Sequence, residues 1–485
     1  MKQKSIWLDG ISNKTCPSLN KNIDVDVLII GGGITGISTA YHLASKNLNV
    51  CLVEKNKVAE GVTSRTTGKL TYLQQDIYTK LKIYRGKEQA RLYLNSQRKA
   101  IQLVKDIIKK ENIVCDLEKV RSYVFSNNKK KVDKEKELLH EFGVSIKEAS
   151  TLPSGEKISH GFFVEDTYVF HPLKYIYGLK EICLQKGISI YENTKIISID
   201  KQENRYLCKT KNHTITAKYV VFAVHYPYFV IPFWMPLKAY IEKSYIEAFT
   251  VDKNNMYSAI TISSPTISIR YHSDKDCHYQ LYLTNSHNLC IKNNEKKNFG
   301  QLLQSKKDNP SYIWSNKDIM TSDSIPYIGS INKENTLLIA TGYNTWGMTN
   351  GSLAGKIISD IILQNHNSYI ELFNPKRGMN FGKVLNFPII FGSNAYSYIK
   401  SKIRKQKSWY PSSVRFETRN GKNLAIYTDN NNKEHIIYNL CPHLKCGLIF
   451  NETEKTWDCP CHGSRFDVDG NCIEGPSNYN ITYKE

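Results

Sequence analysis

Two short loops near the C-terminus restrict this chain more than any other feature. CPHLKC, Cys441 to Cys446, carries a Cys-x-His arm in Cys441 and His443, and CPCHGSRF, Cys459 to Phe466, carries a Cys-x-x-His arm in Cys459 and His462. Fifteen residues separate His443 from Cys459. Two thiolates and two imidazoles spaced in this way can meet at one centre if the intervening chain folds back on itself. Taken alone, the four donors suit two chemistries. One is tetrahedral zinc, and the other is a [2Fe-2S] cluster with one iron held by sulfur and the other by nitrogen.

These loops resemble the Rieske family, in the form found in cytochrome bc-type complexes, and the resemblance spans residues 409–485. It implies a small all-β domain with Cys441, His443, Cys459 and His462 as cluster ligands. It further implies a disulfide between Cys446 and Cys461 that joins the two loops, a turn at Gly463-Ser464, and a proline loop at Gly475-Pro476-Ser477 that covers the cluster. A zinc site needs no bridge between its loops, so these features weigh toward the cluster. In the family, the serine matching Ser464 and a tyrosine two residues later donate hydroxyl hydrogen bonds to cluster sulfurs. Here the second position is Phe466, so one donor is missing. A net hydrogen bond to a charged group contributes about 1.5–3 kcal/mol, and about 1.4 kcal/mol corresponds to ~59 mV for one electron. The expected potential therefore lies several tens of millivolts or more below that of quinol-oxidising members, which suits a low-potential acceptor such as a ferredoxin-like carrier or menaquinone.

At the other end, VDVLIIGGGITGISTAYHLA runs from an apolar strand into a glycine turn and a helix, with Gly31, Gly33 and Gly36 spaced as G-x-G-x-x-G. The glycines allow a tight turn, close approach of a pyrophosphate to the backbone, and close packing of helix on strand. A second strand, Asn49 to Val53, delivers Glu54 twenty-one residues after Gly33, the distance expected of an acid that bonds ribose hydroxyls. These residues leave FAD and NAD both open.

Other segments bear on that choice. GVTSRTTGKLT, Gly61 to Thr71, is a hydroxyl-rich stretch able to thread past a flavin, with Ser64, Thr66 and Thr67 as candidate contacts. AKYVVFAVHYP reads as a buried strand that turns near the adenosine at Ala223. TSDSIPYIG, Thr321 to Gly329, precedes a strand, turn and helix that contain Gly342, Gly347, Met348 and Thr349. In this order the segments resemble the FAD-dependent D-amino-acid and glycine oxidase superfamily, over about residues 23–363. The resemblance implies an α/β FAD-binding domain, Rossmann-like and of the glutathione-reductase type, interleaved with a sheet-rich substrate domain. The expected division is an N-terminal extension (1–22), a flavin unit (23–380), a linker (381–408) and the Rieske domain (409–485). Within the flavin unit, nucleotide-binding parts are expected near 23–80, 170–225 and 310–365, and substrate parts near 80–170 and 225–310. No second glycine-rich fingerprint suggests a separate NAD(P)H domain.

With 485 residues, 41% of them hydrophobic, the chain can fill several cores. MKQKSIWLDG has no apolar stretch of signal-peptide length, and the run from Val220 to Trp234 is too short and too broken to span a bilayer. A cytoplasmic location is therefore expected. Of twelve cysteines, eight remain outside the cluster loops' ligands and the Cys446/Cys461 pair, scattered as small hydrophobes without a disulfide framework. The net charge of +21 is spread along the chain, and no nucleic-acid-binding motif accompanies it. It reads as a lysine-rich solvated surface, with steering of an acidic electron carrier or attraction to an anionic membrane face as the functional alternatives. Val384 to Ile399, followed by KSKIRKQK at Lys400 to Lys407, reads as a linker helix packed on the flavin unit, with peripheral membrane contact as the second reading.

Together the modules imply a dehydrogenase that oxidises an amine or amino-acid-like small molecule and passes electrons singly to a ferredoxin-like or quinone carrier. The superfamily's amino-acid oxidases grip the substrate carboxylate with an arginine shortly before the stretch matching Asp323 to Gly329. From Tyr312 to Asp323 this chain has no arginine and only Lys317, which puts amino-acid specificity in doubt. Arg65, Lys69, Arg270 and Tyr343 are the polar candidates for the substrate side. The alternative is an electron-transfer module whose flavin is reduced by a partner protein. A Rieske oxygenase would need a second iron held by two histidines and a carboxylate, and no separate segment remains for that domain.

Overall fold

In the computed structural model, the apolar run before the glycine turn is strand Ile23–Ile30 and the residues after it form helix Ile34–Leu43. The structure describes residues 1–227, 238–253, 255–263, 266–274, 277–289, 309–378, 382, 386, 392, 413–443, 445–452, 454–461, 463–477 and 479–483. Most of the 381–408 linker, with its apolar and lysine-rich stretches, and the expected ligand His462 lie outside the described residues. Among the described residues no helix is long and apolar enough to cross a membrane.

The first sheet runs in the order Tyr327–Ser330, Leu337–Thr341, Thr214–Phe222, Ile23–Ile30, Val50–Val53, Ser189–Tyr191. Its central pairings are parallel. Strands buried on both faces need continuous apolar sequence, and Val27, Leu28, Ile29, Val220 and Val221 are all fully buried. Helices Ile34–Leu43 and Gly347–Ile362 pack together beside this sheet. Gly36 makes the turn possible, because a Cβ there would collide with the Gly31 carbonyl oxygen.

The second sheet has nine strands, ordered Tyr312–Thr321, Ala239–Val251, Cys277–Asn288, Ser268–Asp274, Tyr257–Thr261, Glu118–Ser126, Lys157–Val169, Lys69–Leu70, with Lys147–Thr151 beside Lys157–Val169. One boundary differs from the sequence expectation. Residues 312–321 were assigned to a nucleotide-binding part, yet they pair along ten positions with Ala239–Val251. The reason is long-range: a strand's sheet is chosen by a partner some seventy residues away, and local pattern carries no record of that choice.

The C-terminal unit comprises a three-stranded sheet, Val414–Arg419, Lys422–Thr428 and Glu434–Tyr438, and a four-stranded one, Ile449–Asn451, Thr456–Asp458, Arg465–Phe466 and Cys472–Glu474. Trp457, Phe466, Ile437 and the cysteines of the two loops form its core. The N-terminal extension is folded onto the flavin unit. Trp7 is fully buried, its indole Nε1 donates to the Thr66 carbonyl at 2.6 Å, and the Arg270 guanidinium sits 4.8 Å above its ring.

Candidate functional site

A cleft with about 270 Å³ of interior space opens at the C-terminal ends of the first sheet's parallel strands. Gly31, Gly33, Glu54, Ala223, Gly342, Gly347 and Met348 line it, as do Arg65, Thr66 and Tyr343. The Glu54 carboxylate accepts from the backbone N–H of Gly32 at 2.8 Å and of Asn56 at 3.0 Å, which fixes it at the edge of the glycine turn. At the helix N-terminus, Thr63 Oγ1 accepts from Ile34 N at 3.1 Å, and Thr35 and Tyr343 share a hydroxyl hydrogen bond of 2.6 Å. Gly31 adopts φ +111°, and a Cβ there would come within 2.5 Å of the Ala223 carbonyl oxygen, so the turn and Ala223 are in direct backbone contact. This narrow glycine cradle, with a carboxylate held at its edge, fits a dinucleotide.

Several expected contacts lie behind the lining. Gly36, Ser64 and Thr349 are not on the cleft wall. Ser64 donates to Gly61 O at 2.9 Å, and Thr349 donates to Thr71 O at 3.3 Å. Arg270, 1% exposed, donates to the carbonyls of Thr67 and Tyr271 and lines neither cleft. With Trp7 and Trp314, whose Nε1 donates to Arg65 O at 2.9 Å, it clamps the backbone of residues 65–67. No motif marks Trp7 or Trp314, and sequence reasoning missed both.

A second cleft of about 320 Å³ adjoins the first, sharing Arg65, Thr66, Asn316, Asp318, Thr345 and Met348. Thr67 and Lys69 line it as well. Lys69 Nζ is committed to Ala259 O at 2.8 Å and Ser268 Oγ at 2.7 Å, and burial, aided by the charge of Arg270, pulls its ammonium down to about 7. The wall facing this cleft belongs to strands Ala239–Val251 and Tyr312–Thr321. Tyr240, Glu242 and Ser244 on the first stand opposite Met320, Asp318 and Asn316 on the second. Burial pushes the Asp318 carboxyl up to about 7, with Glu242 adding to the rise and the Asn316 amide opposing it. Glu242 is also raised by burial, against the pull of Ser286 and Lys80.

Alternation sends the neighbouring residues to the other face of the same strands, where the C-terminal unit docks. Lys317 Nζ donates to Gly463 O at 2.6 Å and lies 3.4 Å from Glu474. Lys243 lies 3.5 Å from Glu454 and 3.4 Å from Asp458, and Arg465 joins Glu454 at 3.0 Å. Burial alone would raise Glu454 and Glu474, but the surrounding cations outweigh it and bring each to about 2. Ile473, Glu474, Gly475 and Pro476 reach past this network to form one wall of the first cleft. The expected proline loop thus borders the nucleotide site. In that cleft His225 lies 4.0 Å from Glu474, and Tyr226 meets the His443 ring edge-on at 6.5 Å.

In the C-terminal unit, Cys441, Cys459 and His443 are buried on their loops. Cys446 and Cys461 are joined by a disulfide with Cα atoms 6.6 Å apart, within the usual span. Cys459 Sγ lies within 4.8 Å of both bridged sulfurs, but bridged sulfurs are not thiolate ligands. Among the described residues the donors left for iron on these loops are Cys441, His443 and Cys459, a thiolate and imidazole set that fits a mixed-ligand cluster. Ser464 is buried, and its Oγ accepts from Ser477 N at 2.9 Å, which ties the second ligand loop to the proline loop. Phe466 is fully buried.

Fold and clefts together define a flavoprotein oxidoreductase with an iron-sulfur domain docked on its cofactor cleft. Residues 26–361 match the FAD dependent oxidoreductase family, and residues 401–483 match the Rieske [2Fe-2S] domain. The chain is 30% identical to the "Putative Rieske 2Fe-2S iron-sulfur protein YhfW" of Bacillus subtilis (strain 168), over 98% of this chain and 96% of that protein. It is 23% identical to the gamma-glutamylputrescine oxidoreductase of Escherichia coli (strain K12), over 82% of this chain and 98% of that one. Its fold is similar to the crystal structure of glycine oxidase from Geobacillus kaustophilus, with a TM-score of 0.61 and 16% identity over 73% of this chain and 99% of that chain. The chain belongs to the FAD dependent oxidoreductase family and carries a C-terminal Rieske domain; the first domain binds FAD and the second a [2Fe-2S] cluster.

Proposed function

We propose that this protein is a dehydrogenase that oxidises the C–N bond of an amine or amino-acid-like substrate and delivers the electrons singly, through its Rieske cluster, to a one-electron carrier of the ferredoxin or quinone class. The observation that carries this reading is the shared wall: residues 473–476 of the Rieske domain border the cleft of Gly31, Gly33 and Glu54, and Tyr226 of that cleft touches His443. FAD, when bound, takes up a hydride equivalent and can release its two electrons one at a time, which matches a cluster that carries a single electron. Gly31 to Gly33 and the N-terminus of helix Ile34–Leu43 would hold the pyrophosphate, and Glu54 the ribose. Residues 65–67, clamped by Trp7, Trp314 and Arg270, stand between the two clefts and orient what binds there. The amine nitrogen loses its extra proton, the adjacent carbon loses hydride to leave an iminium ion, and water converts that ion to a carbonyl compound with release of ammonium or a protonated amine. Cys441, His443 and Cys459, with His462, would hold the cluster.

Mixing purified protein anaerobically with a panel of amines and amino acids tests the reading, with flavin absorbance and the electron paramagnetic resonance of the reduced cluster followed together. The expected result is flavin bleaching followed by a reduced-cluster signal. A Cys459→Ala variant should still bleach but should lose electron delivery to an added one-electron dye. Flavin that is reduced only by another protein, and by no small molecule, would overturn the dehydrogenase reading.

A further inference from the structure

We infer that the second cleft is a cation site, which receives the protonated amino group of a ligand that presents no carboxylate there. This inference rests on the dehydrogenase reading for its setting but on separate atoms for its content. Strands Ala239–Val251 and Tyr312–Thr321 place two cross-strand pairs side by side on the cleft wall, Glu242 opposite Asp318 and Ser244 opposite Asn316. All four present oxygen acceptors. Like charges directly opposite on an antiparallel pair are destabilising, and among the described residues no Lys or Arg forms an ion pair with either carboxylate. Of the four cations that line the cleft, Lys80 pairs with Asp76 at 2.7 Å, Arg65 with Glu474 at 3.6 Å and Lys69 is held by Ala259 and Ser268, while Lys131 lines it without an ion pair to either carboxylate.

A second observation is independent of the charges. Ser244, 3% exposed, and Asn316, 7% exposed, each leave a buried oxygen, Oγ and Oδ1, without a hydrogen-bond partner. A buried acceptor without a donor costs about 1–3 kcal/mol, and two on one cleft wall beside two carboxylates ask for a ligand rich in N–H groups. An ammonium brings three donors and one positive charge. A carboxylate would meet the two carboxylates of Glu242 and Asp318 on this wall, where the Asn316 amide already donates to Asp318 at 3.2 Å. Lys317, the one cation of the segment where the amino-acid oxidases carry their arginine, projects to the opposite face and is held by Gly463 and Glu474. Once Asp318 accepts the proton, it also supplies the neutral amine needed for oxidation, and its carboxyl is already pushed up to about 7 by burial and Glu242.

The test uses full-length holoprotein and two probes of the same shape that cannot be oxidised, tert-butylammonium and pivalate, titrated by calorimetry and by flavin difference absorbance. The cation should bind at least tenfold more tightly than the anion. Asp318→Asn and Glu242→Gln should each weaken the cation at least tenfold, with FAD content and cluster spectrum unchanged. Equal binding of pivalate, or variants whose affinity for the cation stays within twofold of the parent, would overturn the inference. If amino acids bleach the flavin while tert-butylammonium does not bind, the cation site falls and the dehydrogenase reading survives. If the cation binds as expected but no amine or amino acid bleaches the flavin, the cation site stands and the dehydrogenase reading falls.

Discussion

One pair of strands carries opposite electrostatic problems on its two faces. On the docking face Lys243 stands opposite Lys317, and on the cleft face Glu242 stands opposite Asp318. Each is a like-charge pair in the least favourable cross-strand position. The basic pair is answered within the chain, by Glu454, Asp458 and Glu474 of the Rieske domain. The acidic pair forms no ion pair among the described residues, and only the Asn316 amide on Asp318 and the weaker pull of Ser286 and Lys80 on Glu242 oppose its repulsion. A sheet can tolerate the same arrangement twice, then, when one side is neutralised by a permanently attached partner and the other by a ligand that comes and goes.

The most severe way to break this comparison is Lys317→Glu, which adds an acid to a buried cluster of three. Breaking a buried ion pair costs about 3–5 kcal/mol, so the Rieske domain should undock, electron transfer from flavin to cluster should slow by orders of magnitude, and small-angle scattering should report an extended particle. A compact particle with normal transfer would show that the network is ornamental. The next effect lies inside the small domain. Phe466→Tyr should raise the cluster potential and Ser464→Ala should lower it, each by roughly 60–130 mV if a full charge-assisted hydrogen bond of about 1.5–3 kcal/mol is gained or lost. Redox titration of intact clusters decides this, and Asp318→Asn, on the far face, should leave the midpoint unmoved.

The smallest effect has the opposite sign to the first. Asp318→Asn removes a repulsion from the ligand-free protein and should stabilise it by roughly 0.2–1 kcal/mol, read as a small rise in Tm. The two faces should also differ in pH response. Glu454 and Glu474 are depressed from 4.5 to about 2, so their contribution is complete above pH 4.5 and is lost as pH falls through 2. Asp318 is raised from 3.8 to about 7, so its contribution is complete below pH 3.8 and is lost as pH rises through 7. Thermal unfolding against pH should therefore lose its acid limb in Glu474→Gln and its neutral limb in Asp318→Asn. Superimposable profiles would end the comparison.

How much of this was legible in sequence depended on distance along the chain. The glycine turn with Glu54 and the Cys/His arms are local patterns whose chemistry needs fixed spacing, and they located both cofactor units. The disulfide partners, Cys446 and Cys461, came through a family resemblance, and the structure joins them. The cleft wall was not legible, because Glu242 and Asp318 become neighbours only through strand register, and a slip of either strand by one residue would turn its carboxylate to the other face. Lys317 was noticed as the lone cation where an arginine was expected, yet which face it would take depended on that same register. His225 and Tyr226 read as the end of a buried strand, and nothing local said that a domain more than two hundred residues downstream would settle beside them.

The wall that residues 473–476 contribute to the flavin cleft also sets a timetable. Gly31 and Glu474 are 443 positions apart, and at about 5–20 residues per second a ribosome needs roughly 20–90 seconds to go from one to the other. Throughout that interval the nascent cleft lacks one side. FAD can therefore meet an open doorway during synthesis, and the iron-sulfur domain, made after the flavin unit, closes behind it.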